Sequence, residues 1–206
     1  VARVRAPVTV QLEPAGFPLP MVGPAAPQAE VEGALAWGIA DTRADQFWLT
    51  YQHEGEGIIV ANIDTGVDVS HPALAGAYRC GSDLTNPACW HDPANVCSGT
   101  VCDNHGHGTH TMGSMVASND PAFLYTVGMA PGAKWIACKG CESSDCSDAS
   151  LNACADWILA PGGDPANRPH VVNNSWGDAG GNDWYAAKVE AWRAAGIFPA
   201  FSAGNY

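Results

Sequence analysis

An aspartate at the end of an apolar run is the first side chain whose position suggests chemistry. The run IIVANID, residues 58–64, ends in Asp64 and is followed by Thr65-Gly66. Such a run is typical of a buried parallel strand, and functional residues in open α/β sheets collect at the carboxyl ends of strands. Burying a lone carboxylate is costly, so Asp64 needs a partner. Asp64 is therefore a candidate site residue, and an acid that caps a turn is the alternative.

Three histidines within six residues form a second candidate site. His105, His107 and His110 are interleaved with glycine in the segment NHGHGTH, at the predicted start of a helix. One interpretation is a metal cluster, for which Asp103 is the nearby acidic ligand. The other is a single general base, because the positive end of a helix dipole disfavours imidazolium and keeps the ring ready to accept a proton. A carboxylate such as Asp64 would then fix the tautomer of that base.

Two further segments end predicted strands with small or polar residues. In VVNNSWG, the residues Ser175, Trp176 and Gly177 follow a short strand whose edge could pair with an extended peptide. Simple packing of Trp176 is the alternative. In FSAGN, Asn205 follows the last predicted strand, and its amide could donate a hydrogen bond to an oxyanion. Taken singly, that segment also fits an ordinary turn.

Composition excludes several classes of function. The chain has 206 residues, with 9 Lys+Arg against 21 Asp+Glu, a formal net charge of −12, and 47% hydrophobic residues. The acidic balance argues against nucleic acid and anionic membranes as partners, because both attract basic patches. No apolar run approaches the ~18 residues of a membrane helix, so we expect a folded globular protein with no membrane partner. The start at Val1 rather than Met suggests a processed or excised piece.

The cysteines carry information about the environment of the protein. All eight lie within residues 80–154. An even number of closely spaced cysteines in loop-like surroundings favours disulfides in an exported protein. A metal site built on CKGC, residues 138–141, is the alternative, but the spacings do not repeat a zinc pattern. Eight cysteines allow about 105 pairings, and the sequence does not choose among them, although neighbours such as Cys97 and Cys102 are plausible partners.

Hydrophobic patterning predicts strands that alternate with helices. The predicted strands are 58–64, 133–139, 171–174 and 197–202, and the predicted helices are 44–51, 106–118, 147–159 and 183–195. This alternation indicates an α/β fold with a parallel sheet covered by helices on both faces. The segment 76–104 is predicted to be a long surface loop pinned by disulfides. Residues 1–33, rich in Pro and Ala, are expected to form an extended arm or the remnant of a removed segment rather than part of the core.

Five segments together resemble one family, in the order in which that family carries them. IDTGVDVSHPAL resembles the aspartate motif of the subtilisin-like serine proteases, and HGTHTMGSMVAS resembles their histidine motif. APGAKWIACK, VVNNSWG and FSAGN resemble the strands that follow. The resemblance covers roughly Trp37 to Asn205 and is to subtilases of the bacillopeptidase F type in particular. It implies an incomplete subtilisin-like fold, in which residues 34–206 form the N-terminal part of the peptidase domain.

The resemblance also implies roles for the candidate residues. Asp64 would orient His107, the general base that the HGTH motif selects, and the other two histidines would be structural. Asn205 would be the side chain of the oxyanion hole, the group of donors that stabilises the charged carbonyl oxygen. The backbone of Ser175–Gly177 would line the substrate channel.

The sequence departs from the family at the nucleophile. The family motif Gly-Thr-Ser-Met-Ala, which follows the oxyanion asparagine, does not occur in the sequence. Ser114 lies seven residues after His107 in the same predicted helix, about 10 Å along its axis and too far for proton transfer. We therefore expect the serine on a companion C-terminal fragment and expect this chain alone to be inactive.

The resemblance implies that the chemistry needs no cofactor. It leaves open whether the protein binds a structural calcium ion. Family members often bind calcium through an acid just after the His-Pro of the aspartate motif, but Ala73 occupies that position here. Asp68, Asp83, Asp92 and Asp103 could build another site, although acids in loops are usually just solvated. No residue is therefore assigned to a metal.

These observations predict a secreted, extracellular serine endopeptidase that hydrolyses peptide bonds of polypeptide substrates by an Asp-His-Ser mechanism. Two other classes of function stay open. An inactive subtilase-like module would bind peptides in the channel of Ser175–Gly177, but retention of Asp64, His107 and Asn205 argues against it. A zinc protein that uses the histidines and cysteines is the third class, and metal analysis distinguishes it.

Overall fold

The computed structural model describes residues 9–12, 34–123, 125–177 and 183–205. The strands in these ranges are β1 (Thr9–Leu12), β2 (Ala34–Leu35), β3 (Ile59–Asp64), β4 (Trp90–His91), β5 (Tyr125–Thr126), β6 (Lys134–Lys139), β7 (Asp145–Ser147), β8 (Val171–Asn174), β9 (Trp176–Gly177) and β10 (Phe198–Phe201). The helices are α1 (Trp37–Thr42), α2 (Ala44–Tyr51), α3 (Pro72–Ala75), α4 (His107–Val116), α5 (Asp148–Leu159) and α6 (Ala186–Ala194). None of the described helices has the length and apolar character needed to cross a membrane.

The centre of the fold is a five-stranded parallel sheet in the order β10-β8-β3-β6-β4. β3 lies in the middle, and every residue after its first is buried. A strand in that position loses water on both faces, which explains why its sequence is an apolar run rather than an alternating one. The predicted α/β class and parallel sheet are confirmed, and the four predicted strands differ from β3, β6, β8 and β10 by at most a residue at either end.

Helices cover both faces of this sheet because successive side chains along a strand point to opposite faces. On one face, the Asn62 amide of β3 donates a hydrogen bond to the Thr111 hydroxyl of α4 at 2.9 Å. On the other face, Cys138 of β6 forms a disulfide with Cys154 of α5. The helix α5 begins as predicted, because the hydroxyl of Ser147 accepts a hydrogen bond from the amide of the third residue of the helix.

The N-terminal segment departs from its prediction. β1 is the middle strand of a second sheet, in which it pairs antiparallel with β7 on one side and with β9 on the other. Val10 is 2% exposed and belongs to the hydrophobic core. The prediction that this segment lies outside the core is therefore wrong for Thr9–Leu12, because pairing with two distant strands buries it. The remainder of the predicted arm, residues 1–8 and 13–33, lies outside the described residues.

Three smaller differences concern elements that local patterns define poorly. The helix α1 precedes the predicted α2, and α6 begins at Ala186 rather than at residue 183. The predicted loop 76–104 contains β4, which pairs in parallel with β6. A strand of two residues is too short to show a periodicity, so only its pairing partner reveals it.

All eight cysteines form disulfides, in agreement with the prediction. The bonds are Cys80–Cys89, Cys97–Cys102, Cys138–Cys154 and Cys141–Cys146. Two of the four lie within the 76–104 loop, which they pin as expected. A thiolate that is consumed in a disulfide cannot ligate a metal, so a cysteine metal site at residues 138–141 is incompatible with this structure.

We predict that the native protein contains almost no free thiol, because every cysteine has a partner at bonding distance. Titration with a thiol reagent in denaturant without reductant should detect almost none, and the same titration after reduction should detect all eight. Four or more free thiols before reduction would contradict both the disulfides and the inference of an oxidising environment.

Candidate active site

A buried contact joins the two residues that the sequence singles out for acid–base chemistry. The Nδ1 atom of His107 lies 2.8 Å from Oδ1 of Asp64. Asp64 is fully buried, and His107 is 7% exposed. An ionised carboxylate only accepts hydrogen bonds, so Nδ1 is the donor and Nε2 carries the lone pair. The pair therefore has the geometry of a general base that an aspartate holds in one tautomer.

Asp64 has two further partners, and together the three donors compensate for its burial. The backbone amide of Thr65 donates to Oδ1 at 2.7 Å, and the hydroxyl of Thr111 donates to Oδ2 at 3.1 Å. A carboxylate without such donors would be too costly to bury. The alternative in which Asp64 only caps a turn accounts for the bond to Thr65 but not for the bonds to α4.

Two glycines allow α4 to approach the end of β3 closely enough for this contact. A Cβ at Gly108 would lie 2.1 Å from the carbonyl oxygen of Gly66. A Cβ at Gly66 would lie 1.9 Å from the carbonyl oxygen of Cys102, and the φ of Gly66 is +107°. Both distances are far below van der Waals contact. A side chain at Gly108 would therefore push α4 away from the end of β3, and one at Gly66 would displace the loop that leads into α4.

Asp103 holds the turn that leads into α4. Its carboxylate accepts hydrogen bonds from the Thr65 hydroxyl, the amides of His105 and Gly106, and the amide and hydroxyl of Thr109, at 2.5–3.0 Å. Burial raises the pKa of Asp103, but the hydrogen bonds donated by Thr109, Gly106 and His105 outweigh burial and hold the pKa below its ordinary value. The carboxylate that the sequence offered as a metal ligand therefore anchors the start of α4.

A chain of hydrogen bonds leads from this pair to the predicted substrate channel. The Thr111 hydroxyl, which donates to Asp64, accepts a hydrogen bond from the Asn62 amide at 2.9 Å. The Asn173 amide donates both to the side-chain oxygen of Asn62 and to the hydroxyl of Ser175, at 2.9 Å in each case. These hydrogen bonds connect the buried pair, through Asn62 and Asn173, to Ser175.

The strand β9 presents its backbone to an extended chain while its tryptophan packs inward. Gly177 lies opposite Gln11 of β1, and Trp176 lies opposite Leu12. The Trp176 side chain is 5% exposed, and its ring lies 5.1 Å from that of Tyr185 between ring centroids. The backbone of β9 pairs with an extended strand, as the interpretation of a peptide-binding edge expects. The side chain of Trp176 is buried, as the interpretation of simple packing expects. Its role toward a bound substrate stays a prediction.

Asn205 lies beyond the end of β10 and is exposed. β10, β8 and β3 are parallel neighbours, so their carboxyl ends meet at one edge of the sheet. Asn205, Ser175 and Asp64, which all lie at or just beyond those ends, are therefore on the same edge. The assignment of Asn205 to an oxyanion hole stays a prediction.

The metal interpretations find no support among the described residues. In the described ranges, no group of three or more His, Cys, Asp or Glu side chains is arranged to hold a metal ion. His105 instead turns an edge toward the ring of His107, with the ring centroids 6.4 Å apart. Asp68, Asp83 and Asp92 accept hydrogen bonds from neighbours in their own loops.

The family of this chain is identified by its match to a family model. The model of the subtilase family matches residues 55–206. The chain belongs to the subtilase family. The matched range contains Asp64, His107 and Asn205, and the predicted resemblance to subtilisin-like proteases is confirmed.

The subtilases that this chain matches are considerably longer than the chain. Bacillopeptidase F of Bacillus subtilis (strain 168) is 42% identical over 183 residues, which cover 83% of this chain and 12% of that protein. Subtilisin-like protease 1 of Arthroderma otae is 32% identical over 180 residues, which cover 82% of this chain and 32% of that protein. The chain therefore spans well under two thirds of the length of either subtilase.

A solved subtilase structure supports the fold. The crystal structure of fervidolysin from Fervidobacterium pennivorans, a keratinolytic enzyme related to subtilisin, matches with a TM-score of 0.58 and 25% sequence identity. The match covers 78% of this chain and 23% of that chain. The predicted incomplete subtilisin-like α/β fold is therefore confirmed.

Sequence reasoning missed two polar residues that support the pair in this subtilase, and it missed the burial of a lysine beside them. Asn62 and Thr111 contact Asp64 or its partners, and Lys139 is fully buried at the end of β6. Asn62 interrupts an otherwise apolar strand, and that interruption was the available signal. Lys139 gave no such signal, because it is the last residue of its strand. Thr111 gave no signal of its own, because threonine is common on helix surfaces.

We predict that Gly108→Ala lowers the free energy of unfolding by about 1–3 kcal/mol, the usual cost of overpacking, because the new methyl group collides with Gly66. Urea unfolding followed by circular dichroism measures this. Gly113→Ala in the same helix is the matched control, because a Cβ there meets nothing within 4 Å. That control should be stabilised by about 0.5–1 kcal/mol. Equal stability of the two variants would refute the proposed close approach.

We predict that Asp103→Asn destabilises the protein by about 1–2 kcal/mol at pH 7, because an amide cannot accept all the hydrogen bonds of a carboxylate. The folded-state pKa of Asp103 is depressed, so its contribution is present above the unfolded pKa of about 3.9 and is lost as the pH falls through the folded value. Urea unfolding of the variant and the unsubstituted chain should therefore converge below about pH 4. A difference that is independent of pH would contradict the charged role.

Proposed function

We propose that this chain is part of a secreted serine endopeptidase that hydrolyses peptide bonds by an Asp-His-Ser mechanism. The observation that carries the proposal is the 2.8 Å contact between Asp64 and the Nδ1 atom of His107. In this mechanism the nucleophilic serine is supplied by a companion segment downstream of residue 206. Neither Ser114 nor any other serine of the chain is assigned that role.

The proposed reaction uses His107 to move one proton twice. Nε2 takes the proton of the serine hydroxyl while the serine oxygen bonds to the peptide carbonyl carbon, and it then gives the proton to the departing amine. Water repeats the sequence, releases the acyl group and restores the serine. The Asp64 carboxylate stabilises the imidazolium that forms in between, and the amide of Asn205 donates to the carbonyl oxygen as that oxygen gains negative charge.

The binding mode of polypeptide substrates is suggested by β1. This strand lies extended between β7 and β9 and pairs antiparallel with both. A substrate that took the same place would form backbone hydrogen bonds with two strands, which suits recognition of many sequences. The chain's own β1 therefore has to leave before such a substrate strand can enter.

Secretion is part of the proposal because four disulfides persist only in an oxidising environment. The chemistry needs no cofactor, and calcium is left unassigned. The companion fragment is the one protein partner that the mechanism requires. Without it the chain is expected to be inactive, since loss of the nucleophile lowers turnover by about 10⁶-fold in subtilisin.

We predict that Asn205→Leu, made in the complete polypeptide, lowers kcat by about 10²–10³-fold with little change in KM. That size is the known effect of removing one oxyanion-hole donor from subtilisin. His107→Ala should cost far more, because proton abstraction is lost. Kinetics on folded, active-site-titrated enzyme measure both. An Asn205→Leu enzyme with unaltered kcat would remove the oxyanion assignment, and a complete polypeptide that binds peptides without cleaving them would favour the inactive module.

We predict that Val10→Asp in this chain strengthens binding of a labelled acetyl-TVQL-amide peptide by at least about tenfold, because a buried carboxylate is costly and expels β1. Fluorescence anisotropy measures the affinity. Thr9→Asp is the matched control, since Thr9 is exposed on the same strand and should leave the affinity unchanged. Equal affinities of the two variants would contradict the assignment of the groove between β7 and β9 to peptide binding.

A further inference from the structure

Lys139 is a fully buried cation that the proposed reaction does not use. It ends β6 and lies directly beside Asp64 in the register of the sheet. Paired residues of neighbouring parallel strands point to the same face, so Lys139 shares the face of the Asp64 carboxylate. A buried ammonium group is retained only where partners compensate for the loss of water.

The partners of Lys139 flank the two members of the pair. Its Nζ donates a hydrogen bond to the carbonyl oxygen of Thr65, the residue after Asp64. It donates a second to the side-chain oxygen of Asn104 at 2.5 Å, three residues before His107. One ammonium group therefore joins the chain that follows the aspartate to the loop that precedes the histidine.

Acidic groups from three parts of the chain surround this cation. They are Asp64 on β3, Asp92 and Asp103 in the loop before α4, and Glu142 after β6. Burial lowers the pKa of Lys139, and the negative charges of these carboxylates oppose that effect. The positive charge thus has both hydrogen-bond acceptors and counter-charges.

We propose that Lys139 is a positioning residue for the Asp64–His107 pair, which it serves by clamping the Thr65 carbonyl to Asn104 and by placing a positive charge beside the buried carboxylate. The positioning involves only residues of this chain and does not depend on the proposed companion segment. Its consequence for peptide hydrolysis rests on the proposed function.

Two effects follow from removing the ammonium group. The loop before α4 loses its tie to β6, so the amides of residues 105–107 should exchange with solvent at least about tenfold faster. The His107 ring also loses a repelling charge, while Asp64 and His105 still face it. The midpoint of its titration should therefore move upward.

The first test uses Lys139→Met, which keeps an unbranched side chain only one atom shorter and removes the charge. NMR titration of the His107 ring and amide hydrogen exchange are measured on the 206-residue chain. Lys134→Met is the matched control, because Lys134 begins the same strand, is exposed and donates to the distant Gly76 carbonyl oxygen. An upward shift in Lys139→Met but not in the control supports the proposal, and a folded Lys139→Met with an unchanged midpoint overturns it.

The second test covers the case in which Lys139→Met does not fold. Asn104 is exposed, so Asn104→Ala removes one acceptor of the clamp without opening the core. It also removes the hydrogen bond that the Asn104 amide donates to the Glu142 carbonyl oxygen after β6, a second tie of the same loop. Amide exchange at residues 105–107 should again rise at least about tenfold, while the titration midpoint of His107 stays in place because the cation remains. Unchanged exchange in Asn104→Ala would overturn the clamp.

The third test separates this proposal from the proposed function. In the complete polypeptide, Lys139→Met should lower kcat at least about tenfold and leave KM unchanged, because the pair but not the substrate groove is disturbed. A change in KM alone would contradict a positioning role. If the unsubstituted polypeptide cleaves no peptide, the proposed function fails, and the two NMR tests still decide the role of Lys139.

Discussion

A carboxylate with no exposed surface is the constraint around which this structure is organised. Asp64 sits at the end of the central strand, where burial is complete and water cannot solvate its charge. Donors therefore have to come from the protein, and α4 supplies two of the three through His107 and Thr111. The close approach of α4 that this demands leaves room only for glycine at position 108. The histidine is thus held by the same contacts that make the burial of the aspartate tolerable.

Polar residues around Asp64 are subject to the same requirement that buried polar groups form hydrogen bonds. The Asn173 amide donates to the side-chain oxygen of Asn62 and to Ser175, which continues the network, while Asp103 fixes the start of α4. Each of these polar groups would be costly to bury without a hydrogen-bond partner, and each has its partner in a neighbouring member of the network. A change at one member therefore leaves another buried group without a partner. The geometry of His107 depends in this way on residues that never touch its ring.

The sequence predicts well those features that depend on local pattern and poorly those that depend on distant pairing. The buried strand that ends in Asp64 and the helix that starts at His107 were predicted because an apolar run and a glycine-interleaved helix start are local signals. Thr9–Leu12 was missed as a core strand because its partners lie more than a hundred residues away. The support of Lys139 was missed for a related reason: a lysine at a strand end is ordinarily solvated, and only the fold brings acceptors to it.

The disulfides described above have a consequence for the order in which the protein matures. Their sequence separations are 9, 5, 16 and 5 residues, so each bond closes a short loop. Short flexible loops of about ten residues close within about 10–100 ns, and the entropy lost grows only slowly with length. Three of the bonds join cysteines that have no other cysteine between them in the sequence. The fourth bond, between Cys138 and Cys154, encloses one of those pairs, Cys141 and Cys146. Oxidation can therefore select the native pairing segment by segment as the chain emerges, before the sheet has assembled.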